Sequence, residues 1–225
     1  RLKRNTVIVF LLLSFQHLHA QNTVSKTVLV GNKKMTYKLF RPDITRKENE
    51  PVVVFESGVG GGTFEQIVEF LPKNITGIEY NRNGLGESET DTLLKTDAQV
   101  VERLHQLLVT LEIKPPYLLV GHSLGGAFIR LFEAKYPAET AGLVVVDPTV
   151  FMLTAGENNR AKKASSSLTG YREIWTINLK AMATDTSMPP GVRYETKREL
   201  AASTPVFFKE YQNLPPLKDI PVTVI

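Results

Sequence analysis

The chain of 225 residues has no cysteine. That one absence removes disulfide cross-links, thiolate metal sites and cysteine nucleophiles together. Histidine is nearly as scarce, with four residues at 17, 19, 105 and 122 and none after His122. Long apolar runs are missing too. The run over residues 7–13 is far short of the roughly 20 residues that cross a bilayer, so no stable membrane anchor is expected. Charge of one sign is also lacking. The formal net charge is +4, and it falls to +1 without residues 1–20, which hold Arg1, Lys3 and Arg4 and no acid. A nearly neutral chain gives no electrostatic reason to bind nucleic acid, and short basic stretches such as residues 160–163 read as a solvated helix face. No internal repeat or low-complexity tract is present.

What is there begins with an amino-terminal segment unlike the rest. Three basic residues precede the apolar run, and Ala20 follows as a small residue at a cleavage position, the pattern of a secretory signal peptide. The expected mature protein starts at Gln21 and is secreted or periplasmic. The remaining length suits one domain with a sizeable core, and 42% apolar content is ordinary for a globular protein.

From residue 21 the chain alternates between strand and helix patterns. Strands are expected over residues 27–30, 36–40, 52–55, 75–80, 117–120, 143–146 and 221–225, and the nearly all-apolar ones suit a parallel sheet buried on both faces. Thr63 with Gln66 and Thr96 with Gln99 each have capping-box spacing. After Thr63 come Phe64, Ile67, Val68 and Leu71 at helical spacing, closed by Pro72. After Thr96 one apolar stripe runs through Val100, Val101, Leu104, Leu107, Leu108 and Leu111. The fold class is therefore α/β, a mostly parallel central sheet with helices on both faces. Residues 149–219 break the alternation and are expected to form a helical cap. Trp175, Phe207, Phe208 and Tyr211 either line a substrate cavity there or hold the cap's own small core.

Three apolar strands end in glycine turns. PVVVFESGVGGG over residues 51–62 can turn backbone N–H groups toward an anion. IEYNRNGLGES over residues 78–88 follows, with glycines at 84 and 86. Last comes Gly121-His122-Ser123-Leu124-Gly125, between an apolar strand and a helix-like segment over residues 124–136. A serine is presented on such a turn only if the backbone bends sharply, and glycines two positions to either side let strand and helix pass without a Cβ clash.

In these motifs and their order the chain resembles the α/β-hydrolase family over residues 25–225, with its oxyanion loop, D-R-x-G-x-G-x-S turn and G-x-S-x-G nucleophile elbow. Two positions depart from that pattern: Ser57 stands where many members have His, and Asn81 where Asp usually precedes Arg82. The resemblance implies a serine hydrolase that attacks an ester-like acyl bond of a small molecule through Ser123, with no metal or organic cofactor. It implies the backbone N–H groups of Val59 and Leu124 as oxyanion donors, and it disfavours epoxide-opening and dehalogenating chemistry, which use Asp at the elbow. Esterase, lipase, thioesterase, peptidase-like and carbon–carbon hydrolase activities all stay open, since fold does not choose among them. The family's acid and base His lie past its seventh and eighth strands, so they are expected beyond Ile225, lost here by carboxyl-terminal truncation. Asp147, at the end of a strand, is a rival for the acid; otherwise it caps its loop. His122 and His105 are weaker candidates for the base, because neighbouring side chains at an elbow point apart and His105 sits in a leucine-rich helix. Arg82 is expected to organise its glycine turn through backbone carbonyls. The rival class is a non-catalytic binding or interaction protein on the same scaffold.

Overall fold

The computed structural model describes residues 24–41, 45–47, 49–151 and 153–225; the expected signal peptide lies outside them. The strands are β1 (Lys26–Val30), β2 (Lys33–Phe40), β3 (Val52–Glu56), β4 (Gly77–Tyr80), β5 (Tyr117–His122), β6 (Thr140–Val146) and β7 (Val222–Val224). They form one sheet in the order β1-β2-β4-β3-β5-β6-β7. β1 pairs antiparallel with β2 and β2 with β4, and every pairing from β4 across to β7 is parallel.

Alternation along β3 shows why the sheet is buried on both faces. Val52 and Val54 join one apolar cluster with Leu104, Leu107 and Phe132, while Val53 and Phe55 join a second with Phe40, Phe64 and Val68. Successive side chains of a strand point to opposite faces, so an all-apolar strand needs cover on each. On the first face lie α2 (Asp97–Thr110) and α3 (Leu124–Lys135). Thr96 caps α2 as its spacing predicts, accepting from the Gln99 N–H while the Gln99 side chain accepts from the Thr96 N–H.

The first predicted capping box does not form. α1 is only Glu65–Val68, its N-cap is Phe64, and no side chain caps it. Thr63 instead donates to the Glu79 carboxylate at 3.1 Å, and the same carboxylate accepts the Phe64 N–H at 2.5 Å. Glu79 is buried, and a buried carboxylate demands donors more strongly than one short helix demands a cap.

Between β6 and β7 the chain forms α4 (Ala155–Ala164), α5 (Tyr171–Thr184), α6 (Pro190–Ala202) and a 3-10 turn, Lys209–Tyr211. Its aromatics are packed into the body of the protein. Phe151 and Phe208 stack with centroids 3.4 Å apart, Tyr211 and Phe207 meet Phe151 edge-on, and all four belong to the cluster that holds Leu104 and Phe128. Phe207, Phe208 and Tyr211 thus belong to the main core rather than to a small core of the cap's own, and Trp175 packs against the same cluster.

Candidate active site

The chain runs from β3 out to β4 on one side and returns to β5 on the other, so the strand order reverses between β3 and β5. The carboxyl ends of two such strands leave a crevice between diverging loops, the place where open α/β sheets bind ligands. Gly58 follows β3 and Ser123 follows β5, so the first and third glycine motifs meet there.

Ser123 sits at the β5–α3 turn with φ 52° and ψ −118°, a backbone conformation that non-glycine residues seldom adopt. Its surroundings hold it there: the Ser123 N–H donates to Val146 at 3.0 Å, and its carbonyl accepts from Gly126 and Thr149 at 2.9 and 3.0 Å. The flanking glycines are sterically required. A Cβ on Gly121 would lie 2.5 Å from the Gly125 carbonyl oxygen, and one on Gly125 would lie 2.1 Å from that of Glu56. Strand, helix and neighbouring strand thus pass backbone against backbone.

The β3 loop closes on the serine from the other side. A Cβ on Gly58 would stand 3.3 Å from Ser123 Cβ and 3.2 Å from His122 Nδ1. Among the described residues, nothing accepts a hydrogen bond from the N–H of Val59 or of Leu124. Leu124 is also the first residue of α3, where unsatisfied N–H groups and the helix dipole favour negative charge.

Beneath this loop is a buried ionic cluster. Arg82 is 1% exposed. It donates to Glu56 at 2.5 Å, to the Ser57 and Gly58 carbonyls at 2.7 and 2.5 Å, and to Glu195 of α6 at 2.8 Å. It therefore bonds backbone carbonyls, but those of the β3 loop rather than of its own glycine turn. Its guanidinium lies 5.1 Å from the ring centroid of Phe128 in α3. Ser57, standing where many relatives have His, places its hydroxyl 3.1 Å from Arg82. Asn81 packs its side chain against Gly86.

Burial pushes Glu56 above the usual carboxylate range, only partly offset by Arg82 and the Tyr80 hydroxyl. Burial acts on Glu195 in the same direction, but Arg82, Arg198 and the Gly60 N–H outweigh it and hold Glu195 below that range. On the far side of Glu195, Arg198 donates to Glu199 at 2.6 Å and lies 3.4 Å from Asp97, which also accepts from Tyr211 at 2.9 Å. As a carboxylate, Glu199 would leave Oε2 without a donor. Burial first and Asp97 second push its carboxyl well above the usual range. Sequence periodicity misses this cluster because the buried face of α6 is Gly191, Val192, Glu195, Thr196, Arg198 and Glu199. The signal available was Glu56 closing an otherwise apolar strand, and Glu195, Arg198 and Glu199 at helical spacing.

Among the described residues, neither His105 nor His122 completes a triad with Ser123. His105 stacks on Tyr136 with centroids 4.0 Å apart and lies 3.1 Å from Glu139. His122 is exposed. Asp147 follows β6 with φ 44°, its carboxylate exposed and its N–H donating to the Ile225 carbonyl at 2.9 Å. Among the described residues no group of three or more His, Asp or Glu is placed to hold a metal ion, and no helix is long and apolar enough to cross a membrane.

A doubly wound, mostly parallel sheet carrying a strained serine turn at its switch point defines a class of α/β proteins. The family described as alpha/beta hydrolase fold matches residues 51–188, more than half the chain, and the chain belongs to that family. Two curated relatives overlap it in part. Over 100 residues it is 32% identical to the uncharacterized protein YqjL of Bacillus subtilis, 44% of this chain and 40% of that protein. Over 85 residues it is 35% identical to human monoacylglycerol lipase ABHD6, 36% of this chain and 25% of that protein. The chain thus spans less than half the length of these relatives. Among solved structures, a probable hydrolytic enzyme from Pseudomonas aeruginosa PAO1 gives a TM-score of 0.58 at 17% identity, covering 90% of this chain and 72% of that one. MGS-M2, an alpha/beta hydrolase enzyme from a deep-sea metagenome, gives 0.55 at 19%, covering 89% and 88%. At such identities the likeness is one of fold.

Proposed function

We propose that the protein is a serine hydrolase acting on an ester-like acyl bond of a small molecule. The observation that carries this reading is Ser123, held at positive φ on the β5–α3 turn against the β3 loop, with the Val59 and Leu124 N–H groups lacking an acceptor among the described residues. The lipase name of the human relative agrees with an acyl-ester substrate.

In this reading Ser123 Oγ attacks the carbonyl carbon while an imidazole takes its proton. Negative charge gathers on the carbonyl oxygen and is met by the two N–H groups; the proton then passes to the leaving alcohol as the acyl-enzyme forms, and water repeats the sequence to release the acid. Each oxyanion donor is worth about 10² to 10³ in rate. This reading requires an imidazole and an acid to orient it, with Asp147 a candidate for the acid. Residues 1–20 are assigned to export.

The protein expressed from its complete coding sequence is expected to hydrolyse p-nitrophenyl acetate, to react covalently with a fluorophosphonate at Ser123, and to lose both properties in Ser123→Ala. The second reading, a binding protein, is favoured by one observation: among the described residues, neither His105 nor His122 is hydrogen-bonded to Ser123. It replaces the first if the intact protein reacts with neither reagent, or if Ser123→Ala leaves hydrolysis unchanged.

A further inference from the structure

We propose that Glu195 of α6 is a positioning residue for the oxyanion site, fixing the orientation of the peptide that carries the Val59 N–H. The inference rests on the serine-hydrolase reading of Ser123. It starts from the glycine content of the loop itself. Gly58, Gly60, Gly61 and Gly62 surround Val59, and the last three have φ of 80°, 97° and 144°. Backbone so rich in glycine can rotate a peptide plane at little steric cost. An oxyanion donor, in contrast, stabilises the transition state only if it is aimed before charge develops.

Arg82, Glu195 and the Gly61 N–H, which donates to the Gly58 carbonyl at 3.1 Å, pin the peptides on either side of Val59. Arg82 donates to the Ser57 carbonyl at 2.7 Å and to the Gly58 carbonyl at 2.5 Å. The Gly58 carbonyl and the Val59 N–H share one planar trans peptide, so they point in opposite directions. With the carbonyl held on Arg82, the Val59 N–H faces away from it. The next peptide is held by its other end: the Gly60 N–H donates to Glu195 Oε2 at 2.7 Å. Glu195 Oε1 in turn accepts from Arg82 Nε at 2.8 Å. One carboxylate therefore holds the Gly60 peptide directly and the Gly58 peptide through Arg82, and both side chains are fully shielded from water. Val192, one helical turn before Glu195, stands 3.4 Å from where a Gly60 Cβ would lie, so α6 backs the loop with packing as well as charge.

The test compares wild type, Glu195→Gln and Glu195→Ala, each expressed from the complete coding sequence and checked for folding by circular dichroism. Glutamine offers one acceptor where glutamate offers two, so one clamp is lost at nearly constant volume. Glu195→Gln is expected to lower kcat for p-nitrophenyl acetate by roughly 10- to 100-fold and to leave KM within about twofold. Its defect should be smaller toward the matching thionoester, whose sulfur profits less from the oxyanion donors; Glu195→Ala should lose more than Glu195→Gln. A folded Glu195→Gln with wild-type kcat, or an equal defect toward ester and thionoester, overturns the inference while the serine reading stands. Undiminished hydrolysis by Ser123→Ala overturns the serine reading instead. If neither Glu195 variant folds, amide exchange at Gly60 in the wild type decides: slow exchange supports the clamp, and exchange at the rate of an unprotected amide overturns it.

Discussion

Gly191 of α6 lies so close to Gly84 that a Cβ added to it would fall 1.6 Å from the Gly84 carbonyl oxygen. The contact is backbone on backbone, and neither partner has a side-chain rotamer with which to yield. Helix propensity alone favours Ala over Gly by up to about 1 kcal/mol. Here the clash decides the sign, and Gly191→Ala is expected to destabilise the protein by about 1–3 kcal/mol or more, measured by urea denaturation.

Gly156 in α4 gives the opposite expectation. The nearest atom to an added Cβ is Arg160 Nη1, at 3.7 Å, an ordinary contact with the end of a flexible chain. Gly156→Ala should therefore stabilise by a few tenths to about 1 kcal/mol. Loss of stability in the same denaturation experiment would contradict it.

At the elbow, Gly125→Ala should be damaging. Its Cβ would meet the Glu56 carbonyl oxygen at 2.1 Å, so α3 must move away from β3 and carry Ser123 with it. Fluorophosphonate labelling of the intact protein is expected to fall by at least about 100-fold, since a misplacement of about 1 Å costs that much. Labelling at the wild-type rate would show that the turn does not need the close approach.

The Glu199 carboxyl makes stability depend on pH. Its folded-state value is raised by burial and by Asp97, so the unfolded chain releases this proton at lower pH than the folded protein. The contribution is full below the unfolded value, near the ordinary Glu value of about 4.3, and is lost as pH rises toward the folded value, at up to about 1.4 kcal/mol per pH unit. Glu199→Gln cannot titrate and should remove this slope, leaving the variant relatively more stable at pH 8 than at pH 4. Denaturation midpoints of the two proteins across that range check it.

Export predicts a processed amino terminus. Mass spectrometry of the secreted or periplasmic protein should find Gln21 first, cyclised to pyroglutamate; a cytosolic product still carrying residues 1–20 would contradict it.

The elbow was legible because each of its local demands is written in single residues: glycine where backbones touch, serine between them, an apolar strand before and a helix after. The Thr96 box was legible for the same reason, as all its partners lie within four positions. Thr63 misled because its partner, Glu79, arrives from a strand 16 positions away. α6 could not be read as buried, since apolar periodicity reports helices that pack by hydrophobic contact, and this one packs through glycine and ion pairs. The Arg82 cluster was invisible as a unit because its members come from β3, from the chain after β4 and from α6.

That cluster also limits how a substrate could enter. Swinging α6 outward would strip Glu195 from Arg82 and from the Gly60 N–H, leaving charges buried without partners. Breaking a buried pair in this way costs about 3–5 kcal/mol, so an opened α6 would be populated in fewer than about one molecule in a hundred. α5 packs along α6 and buries Leu179 in the main core, whereas α4 carries no such tether to the glycine loops among the described residues. Breathing of the molecule would accordingly fall on α4, with α6 as the fixed doorpost.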